Sequence, residues 1–236
     1  MVTYDLFAKH YDKFMGNRAE HAAQFQRLVK KYHPQAKTVL ELACGTGSVL
    51  QAFEKEYDVS GLVLSAKMLA VTKRKIPSGH FLQQDMTSFK LDQKFDVILC
   101  VFDSINHLLK FSEWKKVFKK AHQHLNPNGV FIFDMNPEAK LQKLINEPPW
   151  AMALGKDVMM VDVTNAGRGV SNWNIKVFEH QRKNHYTLYE ENIKEKAFPL
   201  DQVKKALALY RKVQAMDIIG KRLPTKMNRV VFVCQA

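Results

Sequence analysis

The segment Glu41–Gly47, which reads ELACGTG, contains residues whose types and spacing could bind a ligand. The acidic Glu41 ends a short apolar run, and the glycines Gly45 and Gly47 lead into a predicted helix. Glycine adopts backbone angles that other residues avoid and lets a ligand approach the main chain closely. The helix that follows offers free N–H groups to a negatively charged part of a ligand. The segment therefore predicts a binding loop between a strand and a helix.

Two common nucleotide-binding loops do not fit this segment. A P-loop requires the pattern GxxxxGK[ST], and no lysine follows the glycines here. A dinucleotide-binding loop requires glycine or alanine at its third position, where this chain has Leu50. Glu41, just before the glycines, would also repel a pyrophosphate. The segment instead favours a cationic cofactor that carries an ammonium group.

A second candidate group, Asp103, Asn106 and His107, follows the fourth predicted strand. His107 suits a general base, because an unperturbed histidine titrates near neutral pH, and Asp103 could orient or deprotonate an amine. We therefore predict Asp103 and His107 as catalytic residues. Two structural alternatives stay open: Asp103 could cap the short helix that follows, and His107 could be a half-buried helix residue.

Alternating strands and helices must position both groups. The predicted strands are Thr38–Ala43, Asp58–Leu64, His80–Gln84, Phe95–Phe102 and Val130–Asp134. The predicted helices are Arg18–Tyr32, Gly47–Glu56, a helix that Ser65 caps and that runs to Lys75, and Phe111–Leu125. The turn Asn126–Gly129 closes the last of these helices. This alternation predicts βαβ crossovers and a parallel sheet. Ligands of such sheets bind beyond the carboxyl ends of the strands, and that edge holds Glu41, Leu64, Asp85, Phe102 and Asp134.

The pattern changes after Pro148-Pro149. Three β-type runs at 157–163, 170–178 and 185–198 predict an antiparallel insertion, followed by a helix at Leu200–Arg211 and strands at Val213–Gly220 and Arg229–Cys234. We therefore expect an α/β, doubly wound, seven-stranded, mostly parallel sheet with a small antiparallel insertion after strand five. The expected division is 1–147 for the core, 148–198 for the insertion and 199–236 for the end of the core sheet. The aromatics of the insertion, Trp150, Trp173, Tyr186 and Tyr189, could form a lid over a substrate or the core of a small sheet.

Six segments, in this order along the chain, resemble the class I S-adenosylmethionine-dependent methyltransferases of the small-molecule branch. They are Tyr4–Asp12 (YDLFAKHYD), Glu41–Gly47, Leu64–Leu69 (LSAKML), Gln84–Met86 (QDM), Asp103–His107 (DSINH) and Asn126–Asp134 (NPNGVFIFD). The resemblance covers nearly the whole chain. It implies a Rossmann-like fold, S-adenosyl-L-methionine as the cofactor, and methyl transfer to nitrogen or oxygen of a small acceptor.

The resemblance also implies how the methionine part of the cofactor would be held. Gly45 and Gly47 would let this part lie on the loop, and Ala43 would offer backbone contacts. Glu41 would hold the loop or the amino group. Tyr11 would lie over the methionine end, although it could equally be an aromatic staple for the N-terminal helix.

At the adenine end, the resemblance implies that Asp85 accepts a hydrogen bond from the adenine amine beside the Met86 backbone. Asp85 could also be a simple turn residue. Leu64 and Phe102, at the ends of strands two and four, complete the predicted cofactor site.

One position departs from the pattern of the family. The family usually has an acid at the end of strand two that holds the ribose hydroxyls, and this chain has Val63 there. Loss of such a contact would weaken binding roughly tenfold to hundredfold. Two alternatives stay open: another acid, such as Asp58, takes its place, or the chain is a degenerate, non-catalytic member of the family.

Composition bounds the class of protein and its partners. The chain has 236 residues, 46 % of them hydrophobic and 25 % charged, as in ordinary soluble globular proteins. The start of the chain lacks the apolar region of a signal peptide, and no run is long enough to span a membrane. The three cysteines, Cys44, Cys100 and Cys234, indicate neither a disulfide framework nor a metal site. We therefore expect a cytoplasmic protein, either a monomer or a homodimer.

The charge leaves a second class of acceptor open. The formal net charge is +13, which attracts anions such as RNA or phospholipid headgroups. The lysines are scattered over predicted helix faces, however, and Asn136-Pro137 continues as Glu138-Ala139 rather than as the NPPY motif of base-amine methylases. A small-molecule acceptor is therefore favoured over an anionic macromolecule.

Overall fold

The computed structural model of this chain describes residues 4–16, 18–217 and 229–236. The strands are β1 (Thr38–Leu42), β2 (Asp58–Val63), β3 (His80–Gln83), β4 (Phe95–Cys100), β5 (Leu125–Met135), β6 (Trp150–Leu154), β7 (Asp157–Asn165), β8 (Val170–Arg182), β9 (His185–Lys196), β10 (Lys212–Asp217) and β11 (Val230–Gln235). The helices are α1 (Tyr11–Met15), α2 (Ala19–Tyr32), α3 (Leu50–Phe53), α4 (Ala66–Lys75), α5 (Phe111–Gln123), α6 (Glu138–Ile145) and α7 (Leu200–Ala206), with a short 3-10 helix at Ser104–His107.

The larger sheet has seven strands in the order β10-β11-β5-β4-β1-β2-β3. Strands β1 to β5 pair in parallel, whereas β11 runs antiparallel to both β5 and β10. The strand order reverses beside β1, because the chain moves outward to β3 and then returns to β4. This reversal opens a crevice at the carboxyl ends of β1 and β4. The predicted doubly wound, mostly parallel fold is confirmed.

Apolar side chains bury both faces of this sheet. On one face, Phe133 and Phe232 stack with their ring centroids 4.7 Å apart, and the fully buried Trp114 and Phe118 of α5 pack over them. On the other face, α2 contributes the fully buried Phe25. Because β4 is covered on both faces, its sequence is a nearly continuous apolar run.

The smaller sheet has four antiparallel strands in the order β6-β7-β8-β9. The three predicted runs of the insertion form β7, β8 and β9. Two elements escaped prediction: β6, which follows Pro149 directly, and α6, which buries only Leu141 among its residues. The run in β6 does not alternate between apolar and polar residues, whereas α6 carries Leu141, Leu144 and Ile145 at helical spacing that the sequence reasoning overlooked.

Several predicted boundaries were wrong. The helix predicted over Gly47–Glu56 is helical only at Leu50–Phe53, because the loop continues in turns past Gly47. The turn predicted at Asn126–Gly129 lies inside β5, where Asn128 has φ +64° and the pairing with β4 shifts register. The final helix ends at Ala206 rather than Arg211. Residues 218–220 of the strand predicted over Val213–Gly220 lie outside the described residues.

Other global expectations concern membranes, thiols and metals. No helix in the described part of the chain combines the length and hydrophobicity that a bilayer span requires. The three cysteines are buried free thiols. Within the same described ranges, no three His, Cys, Asp or Glu side chains come together as a metal site would require.

Candidate functional site

The loop after β1 has a left-handed backbone at three positions. Ala43 has φ +56°, Gly45 has φ +57° and Gly47 has φ +74°. A non-glycine residue in this conformation is strained, and such strain clusters at functional sites. A Cβ added to Gly47 would lie 2.8 Å from Cγ2 of Thr72, whose hydroxyl donates a hydrogen bond of 2.7 Å to the carbonyl oxygen of Gly45. Helix α4 therefore fixes the shape of the loop from below.

Asp12 ties the N-terminal segment to this loop. Its carboxylate accepts hydrogen bonds from Thr46 at 2.6 Å and Ser48 at 2.8 Å, and it pairs with Lys75 at 2.7 Å. Burial alone would raise the pKa of Asp12, but the bonds from Lys75 and the two hydroxyls lower it overall. Asp12 is therefore a stable anion that holds helix α1, the loop and helix α4 together.

A cavity of about 580 Å³, termed the first cavity, opens in front of the loop. It is lined by eight of the eleven predicted site residues, namely Tyr11, Ala43, Gly45, Leu64, Asp85, Met86, Phe102 and His107. Glu41 and Gly47 do not line the first cavity, and Asp103 lines a different one. The sheet edge thus brings together most of the residues predicted for the cofactor.

Glu41 is an unpaired acid beneath the loop. Its side chain is 3 % exposed, and its Oε2 atom has no hydrogen-bond partner among the described residues. Burial, with a smaller contribution from the charge of Asp134, raises the pKa of Glu41 to about 8. A buried carboxyl group without a partner is costly. Its ionised form would be stabilised by a cationic ligand seated on the loop.

Asp85 combines the two roles that the sequence left open. Its Oδ1 atom accepts a hydrogen bond of 2.7 Å from the backbone N–H of Thr87, as in an Asx turn. The residue also lines the first cavity, beside Met86. The turn therefore orients a carboxylate toward the space where adenine recognition is predicted.

The end of β2 presents only aliphatic side chains to the first cavity. Val63 and Leu64 line it there. The replacement acid suggested from the sequence, Asp58, was wrong: it begins β2, five residues before Val63, and its N–H bonds to the carbonyl of Lys37. At the usual rise of a strand this separates the two residues by about 16 Å, so Asp58 lies at the opposite edge of the sheet.

The turn after β4 is held by a buried carboxylate. Phe102 and Asp103 have φ +57° and +53°, an uncommon pair of left-handed non-glycine residues. Their two N–H groups donate to the two oxygens of Asp134, at 3.1 and 2.5 Å. Asp134 is fully buried, and burial raises its pKa. These two hydrogen bonds fix the backbone that carries the Phe102 ring. The guanidinium of Arg18 lies over this ring, 4.1 Å from its centroid.

Asp103 is not placed as a free general base. Its carboxylate forms an ion pair with Arg229. Burial alone would raise the pKa of Asp103, but the positive charges of Arg229 and Lys140 lower it overall. The capping alternative fails too, because the Asp103 side chain makes no capping hydrogen bond to the 3-10 helix. Asp103 instead orients Arg229 at the carboxyl end of the sheet.

His107 forms a hydrogen-bonded pair with Tyr4. The hydroxyl of Tyr4 lies 3.0 Å from Nε2 of His107, and Nδ1 lies 3.4 Å from the carbonyl oxygen of Lys194. Because a carbonyl only accepts, the proton of the neutral ring belongs on Nδ1, and Nε2 accepts from Tyr4. Burial lowers the pKa of His107. The ring is therefore neutral and able to take up a proton.

Asn106, the third residue of the group, is structural. It is fully buried, and its amide donates to the carbonyl oxygens of Asn136 and Lys196, each at 3.0 Å. Its oxygen accepts from the N–H of Asn136 at 2.9 Å. Asn106 thus joins the end of β5 to the end of β9.

A second cavity of about 360 Å³ lies between the large sheet and the insertion. Its apolar wall comes from the insertion and includes Trp150 and Trp173, packed edge to face at 6.1 Å. The Nε1 atom of Trp173 is buried without a hydrogen-bond partner in the described structure. Of the four aromatics considered as a lid, Tyr186 and Tyr189 do not line this cavity.

The second cavity also has charged residues in its lining. It contains Arg18, Asp103, Lys140, Glu195 and Arg229. Glu195 accepts a hydrogen bond of 3.3 Å from the amide of Asn136, and burial raises its pKa well above the usual value. The second cavity therefore combines an aromatic face with groups that recognise charge.

Three aromatic residues, Tyr4, Tyr11 and Phe102, line both cavities. The two cavities therefore meet at these rings. Sequence reasoning placed Tyr4 in a motif but gave it no role, and it missed Lys140, Glu195 and Arg229 entirely. No local spacing links those residues, since they converge only in the tertiary fold.

Comparisons with known proteins agree with this geometry. Residues 39–129 match the family model described as a methyltransferase domain. Over 56 % of this chain and 54 % of the relative, the sequence is 33 % identical to dTDP-3-amino-3,4,6-trideoxy-alpha-D-glucopyranose N,N-dimethyltransferase from Streptomyces venezuelae. The chain spans 54–62 % of the length of the first curated relatives that it matches.

Solved structures match over nearly the whole chain. An S-adenosylmethionine-dependent methyltransferase from Clostridium acetobutylicum ATCC 824 superposes with a TM-score of 0.84 at 23 % identity, covering 98 % of both chains. CalS10, an amino pentose methyltransferase from Micromonospora echinaspora solved with SAM bound, gives a TM-score of 0.80 at 20 % identity, covering 100 % of this chain and 98 % of that one. At these identities the likeness establishes the fold.

Proposed function

We propose that this chain, whose residues 39–129 match the methyltransferase domain family, transfers a methyl group from S-adenosyl-L-methionine to nitrogen or oxygen of a small molecule. The observation that carries the proposal is the pair of cavities that meet at Tyr4, Tyr11 and Phe102. A cofactor in one and an acceptor in the other would face each other across these rings.

The first cavity fits this cofactor. Its volume of about 580 Å³ lies within the range of small-molecule sites. The unpaired carboxyl of Glu41 beneath the loop matches the cationic amino-acid end, and Asp85 presents an acceptor to the adenine amine. Tyr11, the first residue of helix α1, also lines this cavity. When bound, the cofactor supplies a methyl group on a sulfonium that is already a good leaving group.

The chain's own residues provide alignment and exclude water. Asp134 fixes Phe102 at the junction of the cavities, and Asp12 fixes the segment that carries Tyr11. Because methyl transfer depends mainly on holding two groups in line at short distance, such fixed walls account for much of the catalysis.

If the acceptor is a protonated amine, Tyr4 and His107 remove its proton. The amine proton passes to the Tyr4 oxygen while the Tyr4 hydroxyl proton passes to Nε2 of His107, which becomes an imidazolium with Nδ1 near the carbonyl of Lys194. Tyr4 reaches the second cavity and His107 does not. The tyrosine is therefore the relay. Asp103, predicted as a base, becomes a positioning residue for Arg229.

We extend the proposal to amino sugars or similar polar amines as acceptors. The Streptomyces venezuelae relative is named for dimethylation of a dTDP-linked amino sugar. In this chain, the aromatic wall with Trp150 and Trp173 and the carboxyl of Glu195 offer the faces and the acceptor that a cationic amine prefers. A cavity of about 360 Å³ suits a small acceptor better than an RNA or a lipid headgroup. We therefore favour a small-molecule acceptor over RNA or phospholipid.

Titration calorimetry with S-adenosylmethionine and S-adenosylhomocysteine tests the cofactor. Transfer of a radiolabelled methyl group to a panel of amino sugars and their nucleotide derivatives then tests the acceptor. We expect binding of both nucleosides and labelling of at least one amine. Absence of nucleoside binding would overturn the proposal and favour a non-catalytic member of the family.

The remaining proposals concern organisation. We keep the division into a core at 1–147, an insertion at 148–198 and a core extension at 199–236, supported by the pairing of β11 with β5. We also propose a cytoplasmic location, supported by the free thiols of Cys44, Cys100 and Cys234, since cytoplasmic thiols stay reduced. For the assembly we propose a monomer or a homodimer.

A further inference from the structure

We propose that Asp5, on the N-terminal segment, holds the ribose hydroxyls of the cofactor in the first cavity. This inference rests on the proposed function, because it assigns a residue to the same cofactor. The carboxylate of Asp5 would accept the hydrogen bonds of the ribose hydroxyls, which no side chain at the end of β2 can accept.

The first cavity needs such a group at the end of β2. A ribose presents two neighbouring hydroxyls, and in doubly wound folds an acid near this position accepts their hydrogen bonds. Val63 and Leu64, which line the cavity there, can accept none. Asp58 stands at the other end of the strand. A ribose bound against two aliphatic side chains would leave its hydroxyls without a charged partner.

Asp5 reaches this place from another part of the chain. The hydroxyl of Ser65 donates to Oδ1 of Asp5, at 2.5 Å. The same hydroxyl oxygen accepts from the backbone N–H of Met68 at 3.0 Å, so its single proton is directed at Asp5. The carboxylate therefore lies against the second residue after β2. Tyr4 and Ser65, its neighbours in sequence and in hydrogen bonding, both line the first cavity.

The segment that carries Asp5 is anchored on both sides. Before it, the hydroxyl of Tyr4 bonds to His107 at 3.0 Å. After it, the N–H of Phe7 donates to Glu191 of β9 at 3.0 Å, and the Phe7 ring is buried. Asp5 is thus held at a fixed position rather than on a loose end.

Two carboxylates, Asp85 and Glu113, line the first cavity in the described structure, and both belong to other elements. Asp85 follows β3, and its Oδ1 accepts from Thr87. Glu113 is on α5, and its Oε2 accepts from the N–H of Lys110 at the start of that helix. Neither follows β2, whereas Asp5 accepts a hydrogen bond from Ser65, the second residue after that strand.

The test measures two ligands on three proteins by titration calorimetry. The ligands are S-adenosylhomocysteine and its 2′,3′-dideoxy analogue, and the proteins are the unaltered chain, Asp5→Asn, and the matched control Asp58→Asn. We expect Asp5→Asn to weaken binding of S-adenosylhomocysteine about 10- to 100-fold, the range for hydrogen bonds to a charged group. The dideoxy analogue, which lacks both hydroxyls, should bind the unaltered chain and Asp5→Asn equally. Asp58→Asn should behave as the unaltered chain with both ligands.

The outcomes separate this inference from the function on which it rests. Equal affinity of the unaltered chain and Asp5→Asn for S-adenosylhomocysteine would overturn the role of Asp5 and leave the proposed function intact. An equal loss for both ligands would also overturn it, because Asp5 would then support the fold rather than the ribose. If the unaltered chain binds neither ligand, the proposed function itself fails.

Discussion

The two cavities of this protein meet at the same three rings, but main-chain turns shape one of them and side chains shape the other. The first cavity is shaped by main-chain turns at the sheet edge, where Ala43, Gly45 and Phe102 adopt left-handed conformations. The second cavity is shaped by side chains that come from distant parts of the chain, such as Arg18, Trp173 and Arg229. One site therefore depends on local backbone geometry, and the other depends on tertiary assembly.

This difference shows which parts of a site are free to vary. A loop that needs particular backbone angles accepts few residue types, because most side chains are strained there. A wall made of side chains on β6 to β9 accepts many combinations, provided that the strands still pair. We expect cofactor binding and acceptor choice to respond independently to substitution, except at residues that touch both cavities.

The largest expected effect separates catalysis from cofactor binding at Tyr4. Tyr4→Phe keeps the ring but removes the hydroxyl that bonds to His107. With an accepted amine as substrate, the methyl-transfer rate at saturation should fall about 10²- to 10⁴-fold, the usual contribution of a general base. The affinity for S-adenosylhomocysteine should stay within a few-fold of that of the unaltered chain.

The matched control for Tyr4→Phe is Tyr189→Phe. The Tyr189 hydroxyl donates to Glu179 in the insertion, and Tyr189 lines neither cavity. A normal rate is expected for it. A normal rate for Tyr4→Phe would remove Tyr4 and His107 from the proton path.

The next effect tests the junction of the two cavities at Asp134. In Asp134→Asn, the new amide cannot accept from both Phe102 and Asp103, and Arg229 loses a carboxylate partner. Removing one partner of a buried pair costs about 3–5 kcal/mol. Denaturant unfolding should show that the free energy of unfolding falls by about this amount, and ligand binding in both cavities should weaken. The control Asp157→Asn, at an exposed pair with Lys13, should change stability little. A normal unfolding midpoint for Asp134→Asn would show that Asp134 does not hold the junction together.

A smaller effect, confined to the first cavity, depends on pH. Glu41 has a pKa of about 8 in the folded chain against an ordinary value of 4.5, so between these values the folded state keeps a proton that the unfolded chain has lost. The stability contributed by protonated Glu41 is complete below pH 4.5 and is lost as the pH rises through 8, by at most roughly 1.4 kcal/mol per pH unit.

Unfolding of the ligand-free protein across this pH range tests the assignment, with Glu41→Gln as the comparison. The variant should show a flatter pH dependence than the unaltered chain. Saturating S-adenosylhomocysteine should reduce the loss at high pH in the unaltered chain, because its ammonium favours ionised Glu41. Identical pH profiles for the two proteins would contradict an unpaired carboxyl beneath the loop.

The smallest effect is confined to the second cavity. Trp173→Phe keeps an aromatic ring but removes the buried N–H that has no partner in the described structure. We expect stability to change by less than about 1 kcal/mol, since no existing hydrogen bond is lost. The KM for the acceptor should rise several-fold at an unchanged affinity for S-adenosylhomocysteine. Trp150→Phe is the matched control, and an equal rise in KM there would assign the effect to ring size rather than to the N–H.

Sequence predicted the first cavity better than the second for a physical reason. Glu41, Gly45 and Gly47 lie within seven residues, and their spacing alone indicates a turn between a strand and a helix. The ion pair of Asp103 with Arg229 joins residues 126 positions apart, so no local sequence pattern predicts it. Likewise, the strand β6 was missed because its sequence, WAMAL, does not alternate between apolar and polar residues, and the strand is defined by its pairing with β7.

The error about Asp58 has the same origin. The sequence shows that Asp58 and Val63 share a strand, but only the direction and length of β2 show that they lie at opposite edges of the sheet. Asp5, far away in sequence, approaches the end of β2 because the N-terminal segment folds back over the first cavity.

The amide of Asn106 has an evolutionary consequence. This amide bonds only to main-chain groups, at Asn136 and Lys196. Every amino acid supplies a carbonyl oxygen at position 196, so a change of side chain there does not remove this acceptor. The side chains of the insertion can thus change in evolution while this link to the core is kept.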